Sequence, residues 1–287
     1  METNILKSII NIKNFDKYNL EEIYPPESEM SSLNRINSVG VGLEYFIKDS
    51  FSNSFEELDK IAIHSNILSW LGNTNNPPDM MIKNGDAVEV KKMESKSSIA
   101  LNSSHPKFKL RNNDIRVSDA CKNCEEWNEK DIVYAVGIVK NKVLNNLFFV
   151  YGDLYCAEEE VYNRIFKIIS QAIVRSDLEL SPTKELGRIN RVDPLGITYL
   201  RIRGMWGIEH PLDVYNYILK DYAESNDESN LFNLNALMKE DKYLSFPEKD
   251  RFTLENDKDI NVEKVKVKDP NNPAKLINSI LINYCKK

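Results

Sequence analysis

Residues 75–92 read Asn75-Asn76-Pro77-Pro78-Asp79-Met80-Met81-Ile82-Lys83-Asn84-Gly85-Asp86-Ala87-Val88-Glu89-Val90-Lys91-Lys92, and the way this stretch folds decides the architecture. Strand-forming residues stand on both sides of Asn84-Gly85, a dipeptide suited to hairpin turns. Side chains on a strand alternate faces, so a slip of one residue moves every side chain to the other face. A two-residue Asn84-Gly85 turn would pair Lys83 with Asp86 and Met80 with Glu89, leaving Asp79 opposite Val90 and on the wrong face. A three-residue loop, Lys83-Asn84-Gly85 with Gly85 in the left-handed position of a G1 bulge, pairs Asp79 with Glu89. Asp79, Glu89 and Lys91 then share one face, while Met80, Ile82, Val88 and Val90 line the other as a strand packed on a core requires. The bulged loop is the expectation.

Two carboxylates and a lysine gathered across a hairpin match the needs of Mg²⁺-dependent phosphodiester hydrolysis: oxygen ligands for a hard cation, and a positive charge near the attacking water and the phosphate. An ordinary exposed hairpin with paired acids and lysine is the other reading. Upstream, Ser38 to Ile47 reads as a helix that places Glu44 one turn from Val41, Ile47 and Phe51. Glu44 is either a partly buried acid facing the hairpin or a surface residue of an amphipathic helix.

Working outward, the spacing predicts helices over residues 4–14, from Pro25-Pro26 to about Phe51, and over 55–68. Buried strands are expected at 131–139 and 146–151, joined by a polar turn at 140–142. An amphipathic helix over 157–176 is expected to turn Val161, Ile165, Ile168, Ala172 and Ile173 inward. A strand at 197–203, a helix at 212–222, a polar segment to about 259, a strand at 260–267 and a final helix at 273–284 complete the reading. The fold class is α/β, a mixed central sheet flanked by helices in a single elaborated domain. Its catalytic core would span about 38–176, with a recognition and C-terminal elaboration over about 177–287.

The chain resembles the PD-(D/E)xK nuclease superfamily, and within it the NgoPII-type type II restriction endonucleases. The residues that carry the resemblance are Asn75 to Lys92, Ser97 to Lys107, Asp119 to Trp127, and the block Asp193-Pro194-Leu195-Gly196-Ile197-Thr198-Tyr199-Leu200-Arg201-Ile202-Arg203-Gly204-Met205-Trp206-Gly207-Ile208-Glu209. The catalytic triplet is short and weakly specific, whereas the later blocks are long. The resemblance is not traced through the acidic tail beyond residue 224. The resemblance implies Mg²⁺-dependent cleavage of both strands of double-stranded DNA at a short palindromic site, GGCC, and a cognate DNA methyltransferase as functional partner. It also implies roles: Asp79 and Glu89 as metal ligands helped by the Val90 carbonyl, Lys91 orienting or activating the water, and Glu44 as a third acid acting through a water. A palindrome has two-fold symmetry, so a homodimer is expected, each site cutting one strand.

Arg201 and Arg203 are the candidates for reading bases, because alternation puts both on one strand face and arginine forms paired hydrogen bonds to guanine O6 and N7. Phosphate contact, or a structural pair with Asp193 or Glu209, is the alternative. Asn102, Ser103, Ser104 and Lys107 follow the hairpin closely and are further DNA-binding candidates.

The chain has 287 residues and a net charge of −6, a sign that opposes phosphate binding unless charge is segregated. It is. Residues 83–116 carry eight basic side chains against four acidic ones, a local +4, and residues 224–259 carry ten acidic against five basic, a local −5. No apolar run is long enough to span a bilayer and no signal sequence opens the chain, so the cytoplasm is the expected location. Four cysteines do not suggest a disulfide scaffold. Cys121 and Cys124 have zinc-ligand spacing without a second pair to complete a site. Two other classes stay open beside the restriction enzyme. One is a structure-selective or repair nuclease on the same core; the other is a DNA-binding or structural protein without turnover.

Overall fold

The structure, a computed structural model, describes residues 2–25, 35–72, 76–175, 178–183, 185–219 and 231–286, with side chains in the second stretch described from residue 42. Helix α1 (Ile5–Phe15) starts at Asn4, whose side chain accepts from the Leu6 and Lys7 amides and so satisfies two otherwise unpaired donors. A single turn α2 (Leu20–Ile23) leads on to α3 (Arg35–Ser52). Helix α4 (Lys60–Ile67) begins later than the spacing suggested, because Asp59 caps it.

The strands follow: β1 (Leu68–Trp70), β2 (Met80–Ile82), β3 (Ala87–Met93), β4 (Ile99–Asn102) and β5 (Lys109–Arg111). After the turn α5 (Asp119–Lys122) come β6 (Glu129–Lys140) and β7 (Val143–Tyr151). Asn141 and Lys142 between them both take positive φ, as a two-residue turn matched to strand twist requires. Next are α6 (Gly152–Tyr155), α7 (Glu159–Val174), β8 (Gly187–Ile189), β9 (Leu200–Ile202), β10 (Trp206–Ile208) and α8 (Pro211–Val214). The C-terminal part adds β11 (Phe232–Lys239), α9 (Glu240–Ser245), α10 (Glu248–Glu255), β12 (Ile260–Asp269) and β13 (Asn272–Lys286).

The main sheet runs β1-β2-β3-β6-β7-β11-β13-β12, with β5 paired to β6. It is mixed: β3 lies parallel to β6 and β11 parallel to β7, while the other neighbours are antiparallel. One face packs Met80, Ile82, Val88, Val90, Val133 and Phe149 against Ile5, Ile9 and Ile12 of α1 and Leu43, Phe46 and Ile47 of α3. The opposite face packs Met81, Ala87, Tyr134, Val136, Phe148 and Val150 with Tyr155 and Tyr215. No helix among the described residues is long and apolar enough to cross a membrane.

Several expectations are corrected. Residues 273–284 are strand, not helix, and lie in β13 between β11 and β12. The polar segment expected up to 259 contains β11, α9 and α10; only 220–230 fall outside the described residues. Strands β7, β11, β13 and β12 are neighbours in one sheet, which continues through residues on both sides of 176. The strand expected at 197–203 is limited to β9, and the helix expected at 212–222 to α8 followed by turns. Helix α7 forms, but no residue of it is buried, and Val161, Ile165, Ile168 and Ala172 face solvent instead of a core.

Candidate active site

In the β2–β3 hairpin, Met80 pairs with Val88 and Met81 with Ala87, so the register continues to Asp79 opposite Glu89. The Ile82 amide donates to the Asp86 carbonyl at 3.0 Å, leaving the three-residue loop Lys83-Asn84-Gly85. One detail differs from expectation: Asn84 (φ 54°), not Gly85, takes the left-handed conformation. The Gly85 amide closes a turn on the Ile82 carbonyl at 3.0 Å, and a positive φ at the third position is what a type II turn demands. Gly85 is needed for another reason, since a Cβ there would lie 2.9 Å from Ile82 Cγ2.

The loop is pinned from outside. Glu125 accepts from the Asn84 amide at 3.0 Å and pairs with Lys130, whose ammonium also donates to the Gly85 carbonyl at 2.7 Å. Buried Asp86, just before β3, accepts from Tyr151 Oη at 2.6 Å and Lys242 Nζ at 2.7 Å. Asp79 is fixed at the other end. Trp70 Nε1 donates to the Pro78 carbonyl at 3.0 Å. Gly72, at φ +83°, comes so near the Asp79 backbone that a Cβ would sit 2.3 Å from the Asp79 carbonyl oxygen. Gly72, Trp70, Glu125, Lys130 and Lys242 escaped the sequence reading; of these only Gly72 left a signal, a glycine within the link entering Asp79.

On the shared face, Asp79 Oδ2 accepts from the Val90 amide at 2.6 Å and Lys91 Nζ donates to Glu89 Oε1 at 2.6 Å. Burial, then the Glu89 and Glu44 carboxylates, push Asp79 up to about 7 against the pull of Lys91 and the Val90 amide. Burial likewise raises Glu44, with Glu89 adding to it while Lys48 and Lys91 oppose. For Lys91 burial works downward, but Glu89, Asp79 and Glu44 outweigh it and hold the ammonium above its ordinary range. Three acids thus share one lysine, with Glu44 reaching the group from α3.

Glu89 Oε2 is buried without a hydrogen-bond partner among the described residues. An orphaned carboxylate oxygen beside an acid strained by its like-charged neighbours fits a divalent cation, which would satisfy the one and relieve the other. No cluster of three His, Cys, Asp or Glu side chains able to hold a metal alone occurs among the described residues. A hard cation here would draw on Asp79, Glu89, the Val90 carbonyl and water, the sparse protein ligation that suits Mg²⁺.

The DNA-binding candidates lie apart from the hairpin or beside it. Arg201 and Arg203 project to one side, and both reach Glu185: Arg201 Nε and Nη2 at 2.9 and 2.6 Å, Arg203 Nε at 2.6 Å. Asp193 and Glu209, considered as partners from sequence, serve elsewhere. Asp193 accepts from the Leu195 and Thr198 amides, and Glu209 from Ser98 Oγ. Two guanidiniums on one half-buried carboxylate leave a positive surplus. Asn102 (φ 53°) and Ser103 are exposed and Ser104 half-buried. Lys107 is 4% exposed and its ammonium is held by Asp114, so here its charge is spent within the protein. Cys121 packs on Met81, and burial pushes its thiol up to about 12; Cys124 Sγ donates to the Cys121 carbonyl.

A family model described as NgoPII restriction endonuclease matches residues 3–268. A relative named Type II restriction enzyme NgoPII, from Neisseria gonorrhoeae, is 48% identical over 286 residues, covering 98% of this chain and 99% of the relative. No solved structure matches.

Proposed function

The chain belongs to the NgoPII restriction endonuclease family, and from that membership we propose that it is a type II site-specific deoxyribonuclease using Mg²⁺ to hydrolyse both DNA strands at a short palindrome, GGCC. The observation that carries the catalytic assignment is the register of the β2–β3 hairpin, which aligns Asp79 with Glu89 and sets Lys91 against Glu89. Asp79, Glu89 and the Val90 carbonyl would hold the cation, whose chemistry is to activate water and offset charge on the phosphate. Lys91, kept protonated by three acids, orients the water and stabilises charge on the phosphorus oxygens; it is not the proton acceptor. Glu44, with its raised affinity for protons, is suited to take the proton through a water. Water attacks phosphorus, one P–O ester bond breaks, and a phosphate monoester and an alcohol remain.

Arg201 and Arg203 exchange their shared Glu185 for guanine edges, while Asn102, Ser103 and Ser104 hold the backbone beside the hairpin. A two-fold target calls for a homodimer, working in the cytoplasm alongside a methyltransferase that protects the host's own sites. The test is cleavage of unmodified plasmid with and without Mg²⁺ by wild type, Asp79→Ala and Lys91→Ala, with the ends sequenced. Discrete Mg²⁺-dependent cuts at GGCC, lost in both variants, are expected. A smear would point to a structure-selective nuclease and no cleavage to a DNA-binding protein; cleavage surviving in Asp79→Ala would overturn the catalytic assignment.

A further inference from the structure

The β8–β9 hairpin repeats one pattern in both strands. Gly187-Arg188-Ile189 and Leu200-Arg201-Ile202 each set an arginine between glycine or apolar neighbours, so alternation sends the arginines to one face and those neighbours to the other. The second face leans on α7, where a Cβ on Gly187 would lie 3.1 Å from Ile173. The register sets Arg188 directly opposite Arg201. Both are exposed, as is Arg203 two residues further on.

Like charges placed opposite one another destabilise a ladder, and here they are unevenly balanced. Arg201 and Arg203 share Glu185, and Arg191 lies 3.5 Å from Glu179. Arg188 has no carboxylate within ion-pair distance among the described residues. Its guanidinium lies instead over the Tyr199 ring, 4.4 Å from the centroid. A ring face attracts a guanidinium and helps to hold it, yet occupies none of its five in-plane donors and leaves its charge unbalanced. Three arginines against one carboxylate give this face a surplus of two positive charges.

A two-stranded ribbon fits the major groove of DNA, about 12 Å wide, and phosphates line the edges of that groove. Base edges are neutral and phosphate is anionic. The arginine that no carboxylate balances therefore gains most from phosphate, whereas Arg201 and Arg203 come with a carboxylate beside them.

We propose that Arg188, held on Tyr199, is a further DNA-binding residue that grips a backbone phosphate beside the bases taken by Arg201 and Arg203, and so seats the ribbon in the groove. The assignment rests on the reading of Arg201 and Arg203 as DNA-binding residues. It divides the work of the hairpin: Arg188 supplies hold that is independent of sequence, and its cross-strand neighbour supplies discrimination.

The test is fluorescence anisotropy on a GGCC duplex and on a scrambled duplex, at about 50 to 200 mM salt. Ca²⁺ replaces Mg²⁺, since it binds carboxylates without the strict octahedral geometry of Mg²⁺. Arg188→Ala is expected to bind both duplexes about 10-fold more weakly, by the same factor, with the slope of log affinity on log salt shallower by about 0.9, the value of one phosphate. Tyr199→Phe, which keeps the ring face, is expected within about 2-fold of wild type, and Tyr199→Leu to lose several-fold. Should Arg188→Ala lose its circular dichroism spectrum, Arg188→Gln is read in its place. A loss confined to the GGCC duplex would make Arg188 a reader of bases and overturn the proposal. Unchanged affinity and slope would overturn it too, as would Tyr199→Leu binding like wild type. A chain that cuts at GGCC while Arg188→Ala binds unchanged would sink the clamp and leave the nuclease reading standing. A uniform loss of binding in a chain that cuts no DNA would do the reverse.

Discussion

The β2–β3 hairpin and helix α7 are both amphipathic, and the protein treats them in opposite ways. The hairpin buries its apolar face on α1 and α3 and is fastened at its loop by Glu125, Lys130 and Lys242, and at its entry by Trp70 and Gly72. Helix α7 leaves its strongest apolar stripe uncovered. Holding three acids around one lysine is costly, and only a rigid frame keeps them there.

Breaking the hairpin should have the largest effect. Asp79→Ala or Lys91→Ala is expected to lower the cleavage rate by about 10³-fold or more, since each removes charge that the transition state needs; single-turnover kinetics on a folded variant checks this. Gly72→Ala is expected next, at about 10²-fold, because a methyl at φ +83° meets the Asp79 carbonyl and displaces the acid. Its signature is lost rate with DNA binding largely retained, measured by fluorescence anisotropy.

At Arg201 and Arg203 the effects should be smaller and of another kind. Arg203→Ala or Arg201→Ala is expected to cost about 1–3 kcal/mol of discrimination between the cognate site and single-base variants. Competition cleavage of GGCC against one-mismatch sites measures it; a uniform loss across all sequences would instead mark phosphate contact.

The electrostatic strain at Asp79 gives the last prediction. Its folded pKa of about 7 lies above the ordinary ~3.9 of an unfolded aspartate. Between those values the folded chain binds a proton that the unfolded chain has lost. Metal-free stability should therefore fall as pH rises from about 4 through about 7, then level off. Asp79→Asn should stabilise the metal-free protein by up to about 4 kcal/mol at pH 8 and by nothing near pH 4, in urea titrations. Cleavage at low metal should decline below pH 7 as Asp79 takes its proton.

The β2–β3 hairpin was legible in the sequence because its determinants are local: alternation on two short strands and a turn whose length fixes register. Strands β6 and β7 and helix α1 were legible for the same kind of reason. The three-residue loop was readable too, though Asn84 and not Gly85 turns left-handed, and the need for glycine at 85 comes from Ile82, which leaves no room for a Cβ there.

The C-terminal part was not legible because its pattern takes meaning only from its neighbours. Ile280-Leu281-Ile282 in β13 is covered on both faces, and a continuous apolar run does not tell strand from helix. Phe232-Asn233-Leu234-Asn235 reads as polar, yet Asn233 and Asn235 are buried and both accept from Asn283 Nδ2 across the β11–β13 ladder, at 3.2 and 2.9 Å. An asparagine belongs in a core only when another strand brings its partner. The sequence by itself thus determined the chemistry that could gather at one hairpin, since alternation and turn length act over a few residues. Only the tertiary structure decided how strands distant in sequence order the sheet, that Lys107 spends its charge on Asp114, and that α7 turns its apolar stripe outward, because burial is a property of the neighbours a residue meets.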